Sequence, residues 1–312
     1  MTPRIAIIGA GLTGLTCAAG LSNAGLSPVV FDKGRGVGGR LATRRTENGF
    51  QFDHGAQYLS AKSHEFAAFL KERATAGAAA VWDTGSGQDH YVGVPGMRSL
   101  AQSLIAGFEV QSAVEVSSVR MAGAAVEVTT RDAVARFDHV VLTVPAPQVS
   151  RLIGDAHALS ERIAGVTMTP NLTLMAGFAT PVAASFTTAR DPEADLAWIA
   201  RDDSKSGRGE HACWVAQASL DWSLAHLELS KEDIASRMLP LLCDRIGALP
   251  EDVSYLAGHR WRYAQTSHPL GQAFLRDDTG RLRIGGDWCL GARAEQAWQS
   301  GHAIAEDLLD AL

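Results

Sequence analysis

Arg4-Ile5-Ala6-Ile7-Ile8-Gly9-Ala10-Gly11-Leu12-Thr13-Gly14 carries a strand, a glycine turn and the opening of a helix in eleven consecutive residues. Small residues at packing spacing continue the helix from Leu15 to Gly25, and Pro28 to Asp32 reads as a second strand, so the chain opens as a βαβ unit. In that setting each glycine has a task. Gly9 allows the tight turn, Gly11 lets the backbone approach a pyrophosphate, and Gly14 permits close packing of helix on strand. The helix N-terminus, with Leu12 and Thr13 in its first turn, stabilises phosphate charge. Asp32 ends the second strand, where a carboxylate accepts hydrogen bonds from ribose hydroxyls.

The continuation Lys33-Gly34-Arg35-Gly36-Val37-Gly38-Gly39-Arg40 favours FAD over NAD. A second glycine pair brings another stretch of backbone against the pyrophosphate, and Arg40 adds a bidentate cation. Read without that context it is a glycine-rich surface loop. Far along the chain, Ile284-Gly285-Gly286-Asp287-Trp288 precedes a helix start at Ala294-Glu295-Gln296-Ala297. Asp287 there can hold ribityl hydroxyls, and the backbone N–H groups of the helix start can face the flavin N1–C2=O edge. The cofactor domain is therefore expected to be assembled from distant segments.

Other features narrow the function by exclusion. Twenty-eight Lys and Arg against 34 Asp and Glu give a net charge of −6, and no concentrated basic face is visible for nucleic acid. The apolar runs are broken well before bilayer length, and the N-terminal run leads into a glycine turn rather than a cleavage site, so neither a membrane span nor a signal peptide is expected. Cysteines 17, 213, 243 and 289 lack close pairing, and the ten histidines form no ligand pair, so no metal site is expected and a reducing cytoplasm is the default.

Along the rest of the chain, Phe108 to Val128 alternates like antiparallel strands, and Phe137 to Val144 reads as a strand covered on both faces and stopped by Pro145-Ala146-Pro147. Between Thr169 and Ser254 the texture changes to a second lobe, with strands at Leu172 to Phe178 and Cys213 to Ala218, a polar loop at Arg201 to Glu210, and a helix at Lys231 to Ile246. An amphipathic helix from Ala294 to Leu309 closes the chain.

The chain resembles the renalase group within the amine-oxidase-type flavoprotein superfamily, especially its bacterial members. The matching stretches are Gly38-Gly39-Arg40-Leu41, Asp53-His54-Gly55-Ala56-Gln57-Tyr58, Ala164-Gly165-Val166-Thr167-Met168-Thr169-Pro170, His259-Arg260-Trp261-Arg262-Tyr263-Ala264 and Gly286-Asp287-Trp288-Cys289-Leu290. They extend over essentially the whole chain. The resemblance implies a two-lobe architecture like that of para-hydroxybenzoate hydroxylase, with a Rossmann-type α/β FAD domain and an α+β, mixed-sheet substrate domain. The expected boundaries are 1–60, 96–165 and 255–312 for the FAD-binding domain, and 61–95 and 166–254 for the substrate domain.

The implied reaction is oxidation of the 2- or 6-dihydro isomers of NAD(P)H to NAD(P)+ with non-covalently held FAD, electrons passing to dioxygen to give hydrogen peroxide. A dihydronicotinamide regains an aromatic ring on losing hydride, so positioning suffices and no catalytic side chain is expected. Related amine oxidases place a lysine near flavin N5, yet Asn171 to Phe178 has none, and of Lys33, Lys62, Lys71, Lys205 and Lys231 only Lys62 follows a motif expected near the ring; it also reads as a solvated helix residue.

Expected cofactor contacts are Gly9, Gly11, Leu12, Thr13, Gly14, Asp32, Lys33, Gly39, Arg40, Val116, Gly286, Asp287, Glu295, Gln296 and Ala297. Expected pocket residues are Gln57, Tyr58, Trp214, Arg262, Tyr263 and Trp288, joined by Trp261 as a further aromatic wall. A basic rim for an anionic dinucleotide is expected from Arg201, Lys205, Arg208, Arg260 and above all Arg262. Cys289 raises the question of covalent flavin attachment, but its Asp-Trp-Cys-Leu context does not fit. Two other readings remain open: an amine or polyamine oxidase, and a non-catalytic flavin redox sensor.

Overall fold

The computed structural model describes residues 2–312, which divide into two compact units. The first comprises residues 2–39, 101–168 and 265–312; the second comprises 40–100 and 169–264. Residues 40–60, 96–100 and 255–264, expected with the first unit, thus divide differently. Residues 40–60 carry a hairpin, Thr43–Arg45 with Gln51–Asp53, and Phe50 and Phe52 of that hairpin pack with Met175, Cys213 and Val215 of the second unit.

The first unit is built on a six-stranded sheet in the order Phe274–Arg276, Leu282–Gly285, His139–Leu142, Ile5–Ile8, Val29–Asp32, Glu109–Ser112. All pairings are parallel except that of the first edge strand. Ile5–Ile8 is buried throughout, as a central parallel strand should be. Sequence alternation misplaced one element: Glu109–Ser112 joins this sheet as a parallel edge, and only Val116–Ala122 onward forms the separate antiparallel sheet with Ala125–Thr130 and Val134–Phe137. Pro145 caps the helix Ala146–Ile153 after the strand His139–Leu142.

Two helices of this unit meet at glycines. A Cβ on Gly301, within Ala294–Asp310, would lie 2.3 Å from the carbonyl oxygen of Thr13, and one on Gly20 would lie 2.9 Å from Cβ of Ala305. This contact sets the C-terminal helix against Leu12–Asn23, the helix that follows the glycine turn. Chain ends far apart in sequence thereby share one layer.

The second unit contains a five-stranded sheet in the order Thr188–Arg190, Leu196–Arg201, Ala212–Ala218, Thr167–Phe178, Val253–His268, whose two long strands carry the chain across the division between units. The helix Lys231–Ile246 starts at the Ser230 cap and stops at Gly247 in the left-handed region (φ 72°). Its Ile234, Met238, Leu242 and Ile246 follow helical spacing and bury against Leu172, Leu174 and Ala216 of the sheet. No helix of the described residues is long and apolar enough to cross a membrane.

Candidate functional site

In the first unit the glycine turn forms a cradle. Gly9 has φ 112°, and a Cβ on Gly14 would lie 2.0 Å from the Gly9 carbonyl oxygen and 2.7 Å from Oγ1 of Thr143, so only glycine lets the helix seat on the strand. Around Gly11 the situation is reversed: an added Cβ would meet nothing within 4 Å. The second glycine run lies alongside, with Gly38 N–H donating to the Ala10 carbonyl at 2.8 Å and Gly38 bridging Gly11. Gly39 adopts φ 53° with its Cβ position 3.4 Å from Cα of Gly11.

Asp32 ties these loops together. Its Oδ2 accepts from Ala10 N–H and its Oδ1 from Gly34 N–H, both at 2.6 Å. Each oxygen keeps a second lone pair with which to accept from a ribose hydroxyl. Open space over Gly11, a helix N-terminus and an acid with remaining acceptor capacity are what an adenine dinucleotide requires, so these residues fit the ADP half of FAD.

At the other end of the chain, Gly286 N–H donates to Ser300 Oγ at 3.0 Å, and buried Asp287 begins a short turn capped by Leu290 and Gly291 N–H groups on its carbonyl. Glu295 is buried in the first turn of the last helix. The structure alters the expectation for its neighbours. Gln296 and Ala297 N–H groups both donate to the Arg293 carbonyl, at 3.1 and 3.3 Å, and so close the helix turn. Lys33 is exposed, with Nζ 3.4 Å from Gln148 Oε1, and the Val116 side chain belongs to the apolar core.

Several expected pocket residues have other duties. A side chain lining an open cleft keeps accessible surface, yet Trp214 and Trp288 are 0% and 1% exposed. Trp214 packs edge-on to Phe186 in the core of the second unit, and Trp288 sits in the core of the first with Nε1 donating to the Val144 carbonyl at 3.0 Å. Arg262 forms a bidentate pair with Glu228 at 2.8 and 2.9 Å, and Arg260 donates to the Leu227 carbonyl at 2.6 Å. Arg201 likewise pairs with Asp203.

The polar loop expected to lend Lys205 and Arg208 to a basic rim instead carries a buried ion cluster. Lys205 has no exposed side-chain surface; its Nζ donates to Asp202 Oδ1 at 2.5 Å, Gln57 Oε1 at 3.3 Å and Asp53 Oδ2 at 3.4 Å. Arg208 donates to Asp53 and lies 3.8 Å from Asp202. Thr43 Oγ1 and Met97 N–H both donate to Asp53 Oδ1. Burial opposes ionisation of Asp53, but Lys205, Arg208 and these two donors hold its carboxyl below the ordinary range. Burial, followed by the charge of Asp53, pushes Asp202 up to about 6 against the attraction of Lys205 and Arg208. Gln57 is locked into the same network, donating to the carbonyls of Asp53 and Gly55.

That network shapes the Asp53–Tyr58 segment. Gly55 fits because a Cβ would fall 2.1 Å from the Arg40 carbonyl oxygen, which accepts Ala56 N–H at 2.8 Å. Gln217 Nε2 holds the Gly55 carbonyl at 2.8 Å, and Arg40 Nη1 reaches the Ala264 carbonyl at 2.8 Å. Tyr58 stacks on His90 with ring centres 3.8 Å apart.

Beside it runs an aromatic stripe, of which sequence reading named Trp261 and Tyr263 as pocket walls but not Tyr255 or His259. Tyr255, His259 and Trp261 alternate along one face of their strand, with Tyr263 next in that period. Tyr255 stacks on Phe52 at 5.2 Å; His54 stacks on Trp261 at 5.5 Å and meets the His259 edge at 4.7 Å. Trp261 Nε1 donates to the His54 carbonyl at 2.7 Å. Burial first, then the charge of Arg44, pushes His54 down to about 4, and burial with the neighbouring His54, Lys231 and Arg44 pushes His259 to about 3. Both imidazoles are neutral near pH 7. The period-2 alternation in Tyr255-Leu256-Ala257-Gly258-His259-Arg260-Trp261 was the available signal.

Residues 7–73 match the NAD(P)-binding Rossmann-like domain, and residues 73–309 match the flavin containing amine oxidoreductases. Mouse renalase is 27% identical over 296 aligned residues, covering 85% of each chain. Among solved structures, a putative protoporphyrinogen oxidase from Exiguobacterium sp. 255-15 superposes with a TM-score of 0.79 at 14% identity over the whole of both chains. A putrescine oxidase bound to putrescine gives 0.74 at 15% identity over 99% of each. These last two likenesses concern the fold. With its glycine cradle and Asp32 shaped for an adenine dinucleotide, the chain belongs to the flavin containing amine oxidoreductase family as a renalase-like, FAD-dependent oxidoreductase.

Proposed function

We propose that the protein oxidises 2- or 6-dihydro isomers of NAD(P)H to NAD(P)+, with dioxygen as the acceptor. The observation that carries this reading is the state of the ionisable groups in the second unit. Asp53, Asp202, Lys205 and Arg208 are consumed by one another, and His54 and His259 are too weakly basic to take a proton near neutral pH. Such a unit suits a donor from which no proton need be removed, and losing hydride makes a dihydronicotinamide aromatic. Similarity to renalase supports the same choice.

FAD when bound supplies the hydride acceptor and passes the two electrons on to dioxygen, giving hydrogen peroxide. The first unit would hold it through Gly9, Gly11, Leu12, Thr13, Gly14, Asp32, Gly39, Asp287 and Glu295. In the second unit, Tyr58, Trp261 and Tyr263 offer aromatic surface to a flat ring, and Gln57 acts by holding the segment that bears Tyr58. Four free, buried cysteines fit a reducing compartment such as the cytoplasm.

An oxygen electrode tests the reaction. Equimolar consumption of dioxygen and formation of peroxide and NAD(P)+ are expected with a 2- or 6-dihydro isomer. Turnover of simple amines in place of these isomers overturns the proposal in favour of an amine oxidase.

A further inference from the structure

We propose that Lys205 is a positioning residue for the substrate: through the amide of Gln57 it fixes the Asp53–Tyr58 segment, and with it the ring of Tyr58. That Tyr58 meets the nicotinamide rests on the reaction proposed above; the hold of Lys205 on the segment rests on hydrogen bonds. The lysine comes from a loop but is aimed inward by local structure. Asp202–Ser204 forms a single 3-10 turn, closed by Lys205 N–H on the Asp202 carbonyl at 3.2 Å, and Ser204 Oγ donates to the Arg201 carbonyl at 2.6 Å. Trp82 Nε1 donates to Ser204 Oγ at 3.0 Å, and the Trp82 ring lies under the ammonium, with Nζ 5.1 Å from its centre.

An ammonium has three N–H donors. Those of Lys205 reach Asp202, Asp53 and Gln57, so two contacts balance charge and the third goes to a neutral amide. That third contact decides which way the amide faces. With Oε1 3.3 Å from Nζ, Nε2 is turned to the Asp53 carbonyl at 2.5 Å and the Gly55 carbonyl at 3.3 Å. The opposite orientation would set an NH2 group against the ammonium and an oxygen against two carbonyl oxygens. Lys205 thus selects the state in which Gln57 closes the turn on itself, which an apolar group filling the same space could not do.

The rest of the segment makes this closure matter. Asp53 N–H donates to Asp202 Oδ2 at 3.1 Å, and Gln217 Nε2 adds a second amide on the Gly55 carbonyl at 2.8 Å. Tyr58 follows Gln57 directly. Its ring stacks at 3.8 Å on His90, whose Nδ1 is 2.9 Å from Thr84 Oγ1, and stands 5.7 Å from the Trp198 ring. Beyond it, Leu59 and Tyr91 exchange backbone hydrogen bonds at 2.8 Å. Tyr58 is therefore anchored on one side by that bridge and on the other by Gln57, with Lys205 behind the glutamine. Part of its surface stays exposed, and an aromatic ring held in this way offers a flat partner a preformed face.

Fluorine NMR of the FAD-loaded protein labelled with 3-fluorotyrosine reads Tyr58 without any substrate; the chain has four tyrosines, and Tyr58→Phe identifies the signal. In the wild type that resonance is expected to be displaced by the His90 ring current. D202N/K205M removes the lysine and leaves Asp53 and Arg208 as a balanced pair, whereas Q57L keeps every charged group of the cluster. In both variants the resonance is expected to move toward that of free fluorotyrosine. Both are also expected to raise KM for a 2- or 6-dihydro isomer of NAD by about twofold to tenfold, the worth of one aromatic contact, with kcat unchanged. Adding Q57L to D202N/K205M is expected to raise KM no further, since both act through one amide.

An unmoved Tyr58 signal, a wild-type KM in the variants, or additive effects of Q57L and D202N/K205M overturns the positioning role. Should D202N/K205M not fold, neutron diffraction of the wild type decides, because deuterium on nitrogen distinguishes the two ends of the Gln57 amide. Oε1 toward Lys205 is expected, and the reverse orientation overturns the proposal. A Tyr58 signal that moves in a protein whose flavin no dihydronicotinamide reduces leaves Lys205 as the residue that sets Tyr58 and removes the reaction instead.

Discussion

Lys205 donates from Nζ to Oδ1 of Asp202 at 2.5 Å, and neither side chain has exposed surface. Three residues apart in sequence, they are joined by Asp53, whose N–H donates to Asp202 Oδ2 at 3.1 Å and whose carboxylate faces Lys205 and Arg208. Two carboxylates and two cations thus balance inside the second unit. A buried pair adds little net stability over an apolar replacement, but removing one member leaves an uncompensated charge.

Lys205→Met is therefore expected to destabilise the protein by about 3–5 kcal/mol in urea unfolding. Adding Asp202→Asn should recover a substantial part of that loss, because the neutral amide still accepts from Asp53 N–H. Additive losses in the double variant contradict the cluster as described.

Gly11 and Gly14 separate folding from cofactor binding. Gly14→Ala forces a methyl group onto the Gly9 carbonyl and is expected to cost about 1–3 kcal/mol or more of stability in the flavin-free protein. Gly11→Ala meets open space, so the flavin-free protein should melt as the wild type does while FAD affinity drops about tenfold or more. Unchanged FAD affinity in Gly11→Ala would move the pyrophosphate elsewhere.

The strand–turn–helix opening was legible because adjacent residues carry both its period and its glycines. The buried ion cluster was not. Arg201-Asp202-Asp203-Ser204-Lys205 has the composition of a solvated loop, and its burial depends on Asp53, 149 residues before Asp202. Trp288 shows the opposite error: it stands next to Asp287 in a cofactor motif, but Gly286 lets its ring turn inward, with a Cβ position only 2.4 Å from the indole Nε1. Arg262, in a matched motif, was expected to meet substrate and instead meets Glu228. Motifs locate backbone, whereas side-chain direction depends on tertiary neighbours.

His259 should leave a signature in acid. Its ordinary value of 6.5 is pushed down to about 3 in the fold, so between those values the unfolded chain binds a proton that the folded chain refuses. Stability from this ring is present above pH 6.5 and is lost as pH falls. Relative to His259→Gln, the wild type is expected to lose up to about 1.4 kcal/mol per pH unit below 6.5, measured by urea unfolding at pH 7, 6 and 5. Asp202, raised from 3.8 to about 6, acts in the opposite direction but is present in both proteins. Parallel pH profiles contradict the neutral imidazole.

Cys289 is buried, and that burial pushes its thiol up to about 12, far from the thiolate needed for attack on a flavin ring. Acid precipitation is expected to leave all yellow colour in the supernatant. A yellow pellet that survives washing contradicts non-covalent binding.

Anaerobic stopped-flow absorbance of the FAD-loaded protein tests the proposed reaction most directly, with 2-dihydro-NAD, 6-dihydro-NAD, ordinary 4-dihydro-NADH and a panel of primary amines mixed in separately. Fast bleaching of the flavin by a 2- or 6-dihydro isomer, and not by ordinary NADH or amines, is the expected result. Bleaching by an amine alone contradicts it and makes the protein an amine oxidase, while a flavin that none of these donors reduces leaves the cofactor site in place without the assigned reaction, as a redox sensor requires.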